Sequence, residues 1–289
     1  MLDKNLLGLN FVRNIYLLYK KLRPAEGVLL LWHMERWLRA NQADAPLFLW
    51  IHLFNPHLPY TAHKEYLLPL PSNPGLKKLV ENSRLTQIRE LPLSSKDKNF
   101  IHQSYLGEVL YTDSLVGRLL KILKEKHLYD NSIIIFTADH GEEFWDHNGF
   151  EHGHSFFQEL IKVPLFIKMP GNDQAGLRIP NLVSTVQIFP TFLKFAEIPQ
   201  SPELKASYPV FTNFPDLIRV INQPETALEL IVSEYPLYFN FKGAILDQNT
   251  NKLIIDTKGN KLFFNLEQDP LGDKSFSRIR DSRKIVRAD

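Results

Sequence analysis

The chain contains no cysteine among its 289 residues. That absence excludes disulfide bonds, zinc sites built on thiolates and a cysteine nucleophile. The chain also lacks an apolar run near the ~20 residues that a membrane-spanning helix needs; the run Gly27–Trp32 is short and is followed by His33, Glu35 and Arg36. A basic excess is missing too, since 34 basic and 32 acidic side chains leave a net charge of +2. Nucleic acid and anionic membranes are therefore not expected as partners.

The amino terminus does not resemble a secretory signal peptide. Asp3 lies where such a peptide is basic, and Asn10 interrupts the apolar segment. The sequence therefore gives no expectation for the cellular compartment.

An apolar segment rich in β-branched residues, 132–138, ends abruptly at Asp139, His140 and Gly141. Such a segment is typical of a strand buried in a parallel sheet. Ligands of open α/β sheets bind outside the carboxyl ends of the strands, so Asp139 and His140 are predicted site residues. Gly141 permits a sharp turn behind them.

The loop 139–154 is unusually rich in ionisable side chains. It holds four of the ten histidines of the chain and five carboxylates. Divalent cations bind such oxygen and imidazole donors. For Glu142, Glu143, Asp146 and His147 taken singly, a solvated loop face is nevertheless the favoured interpretation, because runs of charge usually face solvent.

Further segments complete a predicted α/β core. The apolar runs 47–53 and 163–168 predict two more buried strands, and the apolar stripe of residues 105–126 predicts a helix that covers them. Since strand, helix and strand follow in order, we expect a mostly parallel sheet flanked by helices. The proline-bearing segment 67–98 is interpreted as a surface excursion or an active-site lid.

The pattern changes after Pro199. Residues 230–233, 242–246 and 252–266 alternate and turn at Lys258–Asn260, which is typical of antiparallel hairpins. The predicted organisation is a helical segment 1–44, an α/β core 45–199 and a small C-terminal α+β subdomain 200–289 that ends in a polar tail.

Short motifs in this order and spacing resemble the carboxyl-terminal half of a sulfatase, a family of the alkaline-phosphatase superfamily. They lie at Asn55–Tyr60, Thr137–Glu143, Glu151–Ser155, Val163–Leu165 and Pro170–Gly171. The resemblance implies an alkaline-phosphatase-like fold, sulfate esters as substrates and catalysis with a divalent metal ion.

The resemblance also assigns roles to individual residues. Asp139 and His140 are the implied metal ligands, with calcium as the expected ion and magnesium, manganese or zinc as alternatives. His154 stands where many sulfatases have a lysine that contacts the sulfate, and His57 would face the same group. An imidazole in either place can bind the anion or protonate the leaving group. Asp113 is expected to be a buried structural partner.

Two parts of the family's pattern do not occur in the chain. There is no pair of aspartates in an amino-terminal strand and no Cys/Ser-x-Pro-x-Arg motif, and only 56 residues precede His57. We therefore expect a sulfatase-like hydrolase whose amino-terminal half, with the nucleophile, is missing. The alternatives are a phosphotransferring relative, such as a phosphoethanolamine or glycerophosphate transferase or a phosphodiesterase, for which His140 is the better fit, and a catalytically inactive metal-binding fragment.

Overall fold

The computed structural model describes residues 26–40, 47–61, 71–83, 85–207, 214–234, 241–272 and 277–279. The chain divides into two compact units, 1–132 and 133–289. The first 25 residues of the predicted helical segment 1–44 and the part of the predicted polar tail beyond residue 279 lie outside the described residues. The domain boundaries after residues 44 and 199 stay predictions.

The regular secondary structure in the described part of the first unit is helical, and residues 47–61 form a loop. Its helices are α1 (Glu26–Ala40), α2 (Leu76–Glu81), α3 (Leu85–Glu90) and α4 (Ser95–Glu125). Helices α1 and α4 pack against each other through apolar side chains. This core contains Leu31, Met34, Leu38, Tyr111, Leu115 and Ile122.

Helix α4 begins about ten residues before the predicted start because a capping box fixes its amino end. The Ser94 hydroxyl accepts from the Asp97 amide, and the Asp97 carboxylate accepts from the Ser94 amide. The same carboxylate accepts the amides of Ser72 and Asn73 at 2.8 and 3.0 Å. The predicted excursion is therefore wrong in part, since it contains α2, α3 and the first residues of α4, with Leu76, Val80 and Ile88 buried.

The predicted strand at 47–53 is not observed, because these described residues form no strand. Phe48 and Trp50 are 66% and 73% exposed, so the run is not buried as predicted. An apolar run becomes a strand only where another strand supplies hydrogen-bond partners, and its composition cannot show whether one is present.

The second unit opens with two small antiparallel sheets. Strand β1 (Ile134–Thr137) pairs with β4 (Leu165–Lys168), and β2 (Glu143–Phe144) pairs with β3 (Phe150–Glu151). The mostly parallel sheet was therefore the wrong expectation for the strands that the structure describes. A parallel neighbour needs a long crossover, usually helical, whereas β1 and β4 are joined by the β2–β3 hairpin and one helical turn, α5 (Gln158–Ile161).

The rest of the second unit confirms the predicted antiparallel hairpins. Its sheet has the order β5 (Leu230–Glu234), β6 (Phe241–Asp247), β7 (Asn251–Asp256), β8 (Lys261–Asn265) and β9 (Ser277–Ile279), with every neighbouring pair antiparallel. Short helices precede it: α6 (Ile188–Phe195), α7 (Pro202–Ser207) and α8 (Leu217–Asn222). Phe156 packs into its apolar face with Ala244, Ile254, Phe264 and Leu266. None of the helices that the structure describes has the length and hydropathy to cross a membrane.

Candidate active site

The end of β1 places Asp139 and His140 side by side, as predicted from the sequence. Gly141 follows and brings the chain against α5, where its amide donates to the Leu160 carbonyl at 2.8 Å. A Cβ at Gly141 would overlap the Glu159 carbonyl oxygen. The glycine is therefore needed for the close approach that holds this turn.

Asp139 and His140 supply two donor atoms suited to a divalent cation. The His140 Nδ1–H donates to the Gly141 carbonyl at 2.8 Å, which leaves Nε2 with a lone pair in the neutral ring. That Nε2 lies 3.8 Å from Asp139 Oδ2. A ligand histidine whose other ring nitrogen binds a backbone carbonyl is a common arrangement at metal centres. The pair fits a cation, but the described residues contain no group of three or more His, Cys, Asp or Glu side chains placed to hold one.

A second imidazole, that of His152, lies beside this pair. Its ring stacks on His140 with centroids 3.9 Å apart, and its Nδ1–H donates to Glu142 Oε1 at 2.8 Å. Burial alone lowers the pKa of His152, but the hydrogen bond to Glu142 and the charges of Glu142, Glu151 and Asp139 raise it above its ordinary value. His152 is therefore a cationic candidate beside the predicted metal ligands, although the motif 151–155 had pointed to His154.

His154 is held by the buried carboxylate of Glu143. Its Nε2–H donates to Glu143 Oε2 at 2.6 Å, while Glu143 Oε1 accepts the amides of His147 and Gly149 at 3.0 and 2.5 Å. Burial raises the pKa of Glu143, but these hydrogen bonds outweigh it and hold the pKa below its ordinary value. A Cβ at Gly149 would overlap the carboxylate and the ring, so the absence of a side chain there makes the pair possible.

The loop is less solvated than its charge suggested. Glu143 is 1% exposed, and the side chains of Glu142 and His147 are 5% and 11% exposed. Only Asp146 of the four is exposed, as predicted. Three of these side chains are buried because each has a hydrogen-bonding partner within the second unit, which a charge run in the sequence does not reveal.

His57 belongs to the first unit, where its loop is fixed from both ends. Its Nδ1–H donates to the Leu58 carbonyl at 2.7 Å. The buried Glu108 accepts from Asn55 Nδ2 at 2.6 Å, and from the amide and hydroxyl of Thr61 at 2.7 and 2.8 Å. Glu108 thus binds the residues on either side of His57.

The expectation that Asp113 is a buried partner was wrong, since Asp113 is exposed. The buried carboxylate on this part of α4 is that of Glu108. Five residues separate the two, which is about 140° around a helix at 3.6 residues per turn. A single helix therefore cannot bury both carboxylates against the same face.

The sequence profile of the Sulfatase family matches residues 22–198, more than half of the chain. The chain belongs to the sulfatase family. Two curated relatives of this sulfatase chain are an arylsulfatase of Clostridium perfringens, 27% identical over 246 residues, and the iduronate 2-sulfatase of Mus musculus, 27% identical over 211 residues. The alignments cover 81% and 57% of this chain, but 50% and 38% of the relatives.

The fold of the sulfatase chain is also similar to that of the phosphonate monoester hydrolase of Agrobacterium radiobacter. The TM-score is 0.66 at 20% identity, over 86% of this chain and 56% of that one. This likeness places the chain among alkaline-phosphatase-like folds. The chain spans about half or less of the length of these curated relatives.

Proposed function

We propose that the chain is the metal-binding and anion-contacting part of a sulfuric ester hydrolase. The observation that carries this proposal is the juxtaposition of His152 with His140 next to Asp139 at the end of β1. In a member of the sulfatase family, a carboxylate and an imidazole able to hold a cation stand beside an imidazole whose pKa is raised. Such a set can bind a sulfate group and supply a proton to the leaving oxygen.

The proposed metal ligands are Asp139 and His140. A bound divalent cation would supply positive charge to the sulfate oxygens. Two protein ligands leave most of the coordination shell to water, so we expect weak binding. Calorimetric titration with calcium chloride should show heat that Asp139→Ala abolishes and Asp146→Ala, an exposed carboxylate of the same loop, preserves. Equal binding by all three proteins would locate the cation elsewhere.

The proposed contact to the sulfate in the second unit is His154, as the resemblance implies, with His152 added by its stacking on His140. For His57, in the first unit, the proposal is the role that the resemblance implies. His154 donates from Nε2 to Glu143, whereas His152 donates from Nδ1 to Glu142 and stacks on His140 beside Asp139. We expect sodium sulfate to shift the ring resonances of His152 in NMR spectra more than those of His154, with sodium chloride at equal ionic strength as the control. The reverse order would favour His154 as the contact.

Turnover by the chain alone should lie near background. Cleavage through a covalent intermediate needs an activated nucleophile, and no Cys/Ser-x-Pro-x-Arg motif occurs in the sequence. The test is steady-state hydrolysis of a chromogenic sulfate ester and a phosphodiester, measured side by side. Robust hydrolysis of the sulfate ester, abolished by one Ser or Thr substitution, would show that the chain carries its own nucleophile.

A second candidate, phosphoryl transfer or phosphodiester hydrolysis, is favoured by His140. Many sulfatases have asparagine at that place, and phosphotransferring relatives have histidine. Faster hydrolysis of the phosphodiester than of the sulfate ester in the same assay would favour this second function. Cation binding without any response to sulfate or phosphate would instead indicate an inactive metal-binding fragment.

A further inference from the structure

His147, which the proposed chemistry does not use, is bonded at both ring nitrogens. Its Nδ1 lies 2.7 Å from Glu159 Oε1 on α5, and its Nε2 lies 2.9 Å from the Gly272 carbonyl oxygen. The ring also stacks on Phe157, with centroids 3.6 Å apart and planes 2° apart. An ionised carboxylate and a carbonyl can only accept hydrogen bonds. Both ring nitrogens must therefore donate, and a histidine does this only as the imidazolium cation.

We infer that His147 is a positioning residue, held as an imidazolium that ties the β2–β3 hairpin to α5 and to the Gly272 turn, and that loss of its proton loosens this hairpin. A neutral imidazole has one N–H, so deprotonation removes one of the two ties. The hairpin matters to the site because the His147 amide donates to Glu143, the carboxylate that holds His154. The inference deepens the proposed function but does not depend on turnover.

The charges around His147 support the cation. Glu159 on α5 is hydrogen-bonded to it, and Glu143 on β2 adds a second negative charge. The Gly272 turn supplies a carbonyl, which does not titrate. Lys252 on β7 is the basic group nearby, and it interacts electrostatically with the same Glu159 carboxylate. Burial alone lowers the pKa of His147, and the two hydrogen bonds and two carboxylates raise it above its ordinary value of 6.5.

The raised pKa fixes the sign of the pH effect. The stability that His147 contributes is present in full below 6.5, the ordinary value, and is lost as the pH rises through the higher pKa of the folded state. Lys252 acts in the opposite direction above about pH 7, because burial lowers its pKa from 10.5 to about 7. The pH dependence of the free energy of unfolding therefore contains contributions from both residues, and the protonation of His147 has to be measured at its own ring.

The test is an NMR titration of the whole chain labelled with ¹⁵N-histidine, with the His147 signals assigned by their loss in His147→Gln. We expect both ring nitrogens to be protonated at pH 7 and the midpoint to lie clearly above 6.5. Glu159→Gln should lower that midpoint by about one unit or more, since it removes an adjacent opposite charge. The control is Glu225→Gln, an exposed carboxylate, which should leave the midpoint unchanged.

A second measurement follows the hairpin. The Trp145 amide donates to the Gly149 carbonyl at 2.8 Å within the β2–β3 turn. At one pH near 7, its hydrogen exchange should be several times faster in Glu159→Gln than in the wild type, and unchanged in Glu225→Gln. A midpoint for His147 at or below 6.5, a neutral ring at pH 7, or equal exchange in all three proteins would overturn the inference. Because none of these measurements needs catalysis, an inactive chain leaves the test intact.

Discussion

The most informative perturbation in the first unit is Glu108→Ala. Glu108 is fully buried and its two oxygens accept three hydrogen bonds from Asn55 and Thr61. A hydrogen bond to a charged group contributes roughly 1.5–3 kcal/mol. The sum overstates the loss, because Thr61 is exposed and Asn55 is only half-buried, so water can replace part of what the carboxylate supplied. We expect the free energy of unfolding to fall by about 2–4 kcal/mol.

Urea unfolding measures this change, with equal m-values required for the comparison. The matched control is Asp113→Ala, an exposed carboxylate on the same helix, which should stay within about 0.5 kcal/mol of the wild type or gain slightly. Glu108→Gln should be intermediate, since its amide keeps one accepting oxygen but no charge. Hydrogen exchange at the Thr61 amide should accelerate in Glu108→Ala. A loss below about 0.5 kcal/mol, or an equal loss in Asp113→Ala, would refute the role assigned to Glu108.

Three further predictions concern stability. Gly149→Ala should destabilise the chain by about 1–3 kcal/mol in thermal or urea unfolding, because its Cβ would overlap the Glu143 carboxylate and the His154 ring. The control Gly117→Ala on α4, where the Cβ would enter open space, should stabilise the chain by about 0.5–1 kcal/mol. Lys252→Met should raise the free energy of unfolding by about 1–2 kcal/mol at pH 6 and by less at pH 10. Between about pH 7 and 10.5 the folded wild type loses the Lys252 proton before the unfolded state does, so the wild type itself becomes more stable as the pH rises. A gain that does not depend on pH would contradict titration of the Lys252 amine. Because the pKa of Glu143 is lowered, the stability that it contributes is present above pH 4.5 and is lost as the pH falls through the folded-state pKa. Glu143→Gln should therefore reduce the fall in the free energy of unfolding below pH 4.5. An unchanged fall would exclude Glu143 as the cause of this acid sensitivity.

The sequence by itself determined the features that depend on neighbouring residues. Apolar alternation with a turn at Lys258–Asn260 gave the antiparallel sheet of the second unit, because a strand's period of two and its turn residues are local properties. The Asp139-His140-Gly141 turn at the end of an apolar segment likewise predicted a candidate site from three adjacent residues, and the structure places the turn directly after β1. The family motifs added the expected chemistry, and the profile match to residues 22–198 confirmed the family.

Tertiary structure alone decided whatever depends on a distant partner. The direction of β4 beside β1, and the lack of a strand at 47–53, follow from which segments meet and not from their composition. The same holds for burial of charge: Glu108 is buried because Asn55 and Thr61 donate to it across the fold. His147 has two acceptors because Glu159 and Gly272, far apart in the sequence, converge on its ring. Hydrogen-bond partners of this kind leave no periodic trace in a sequence, and they position the histidines of the candidate site.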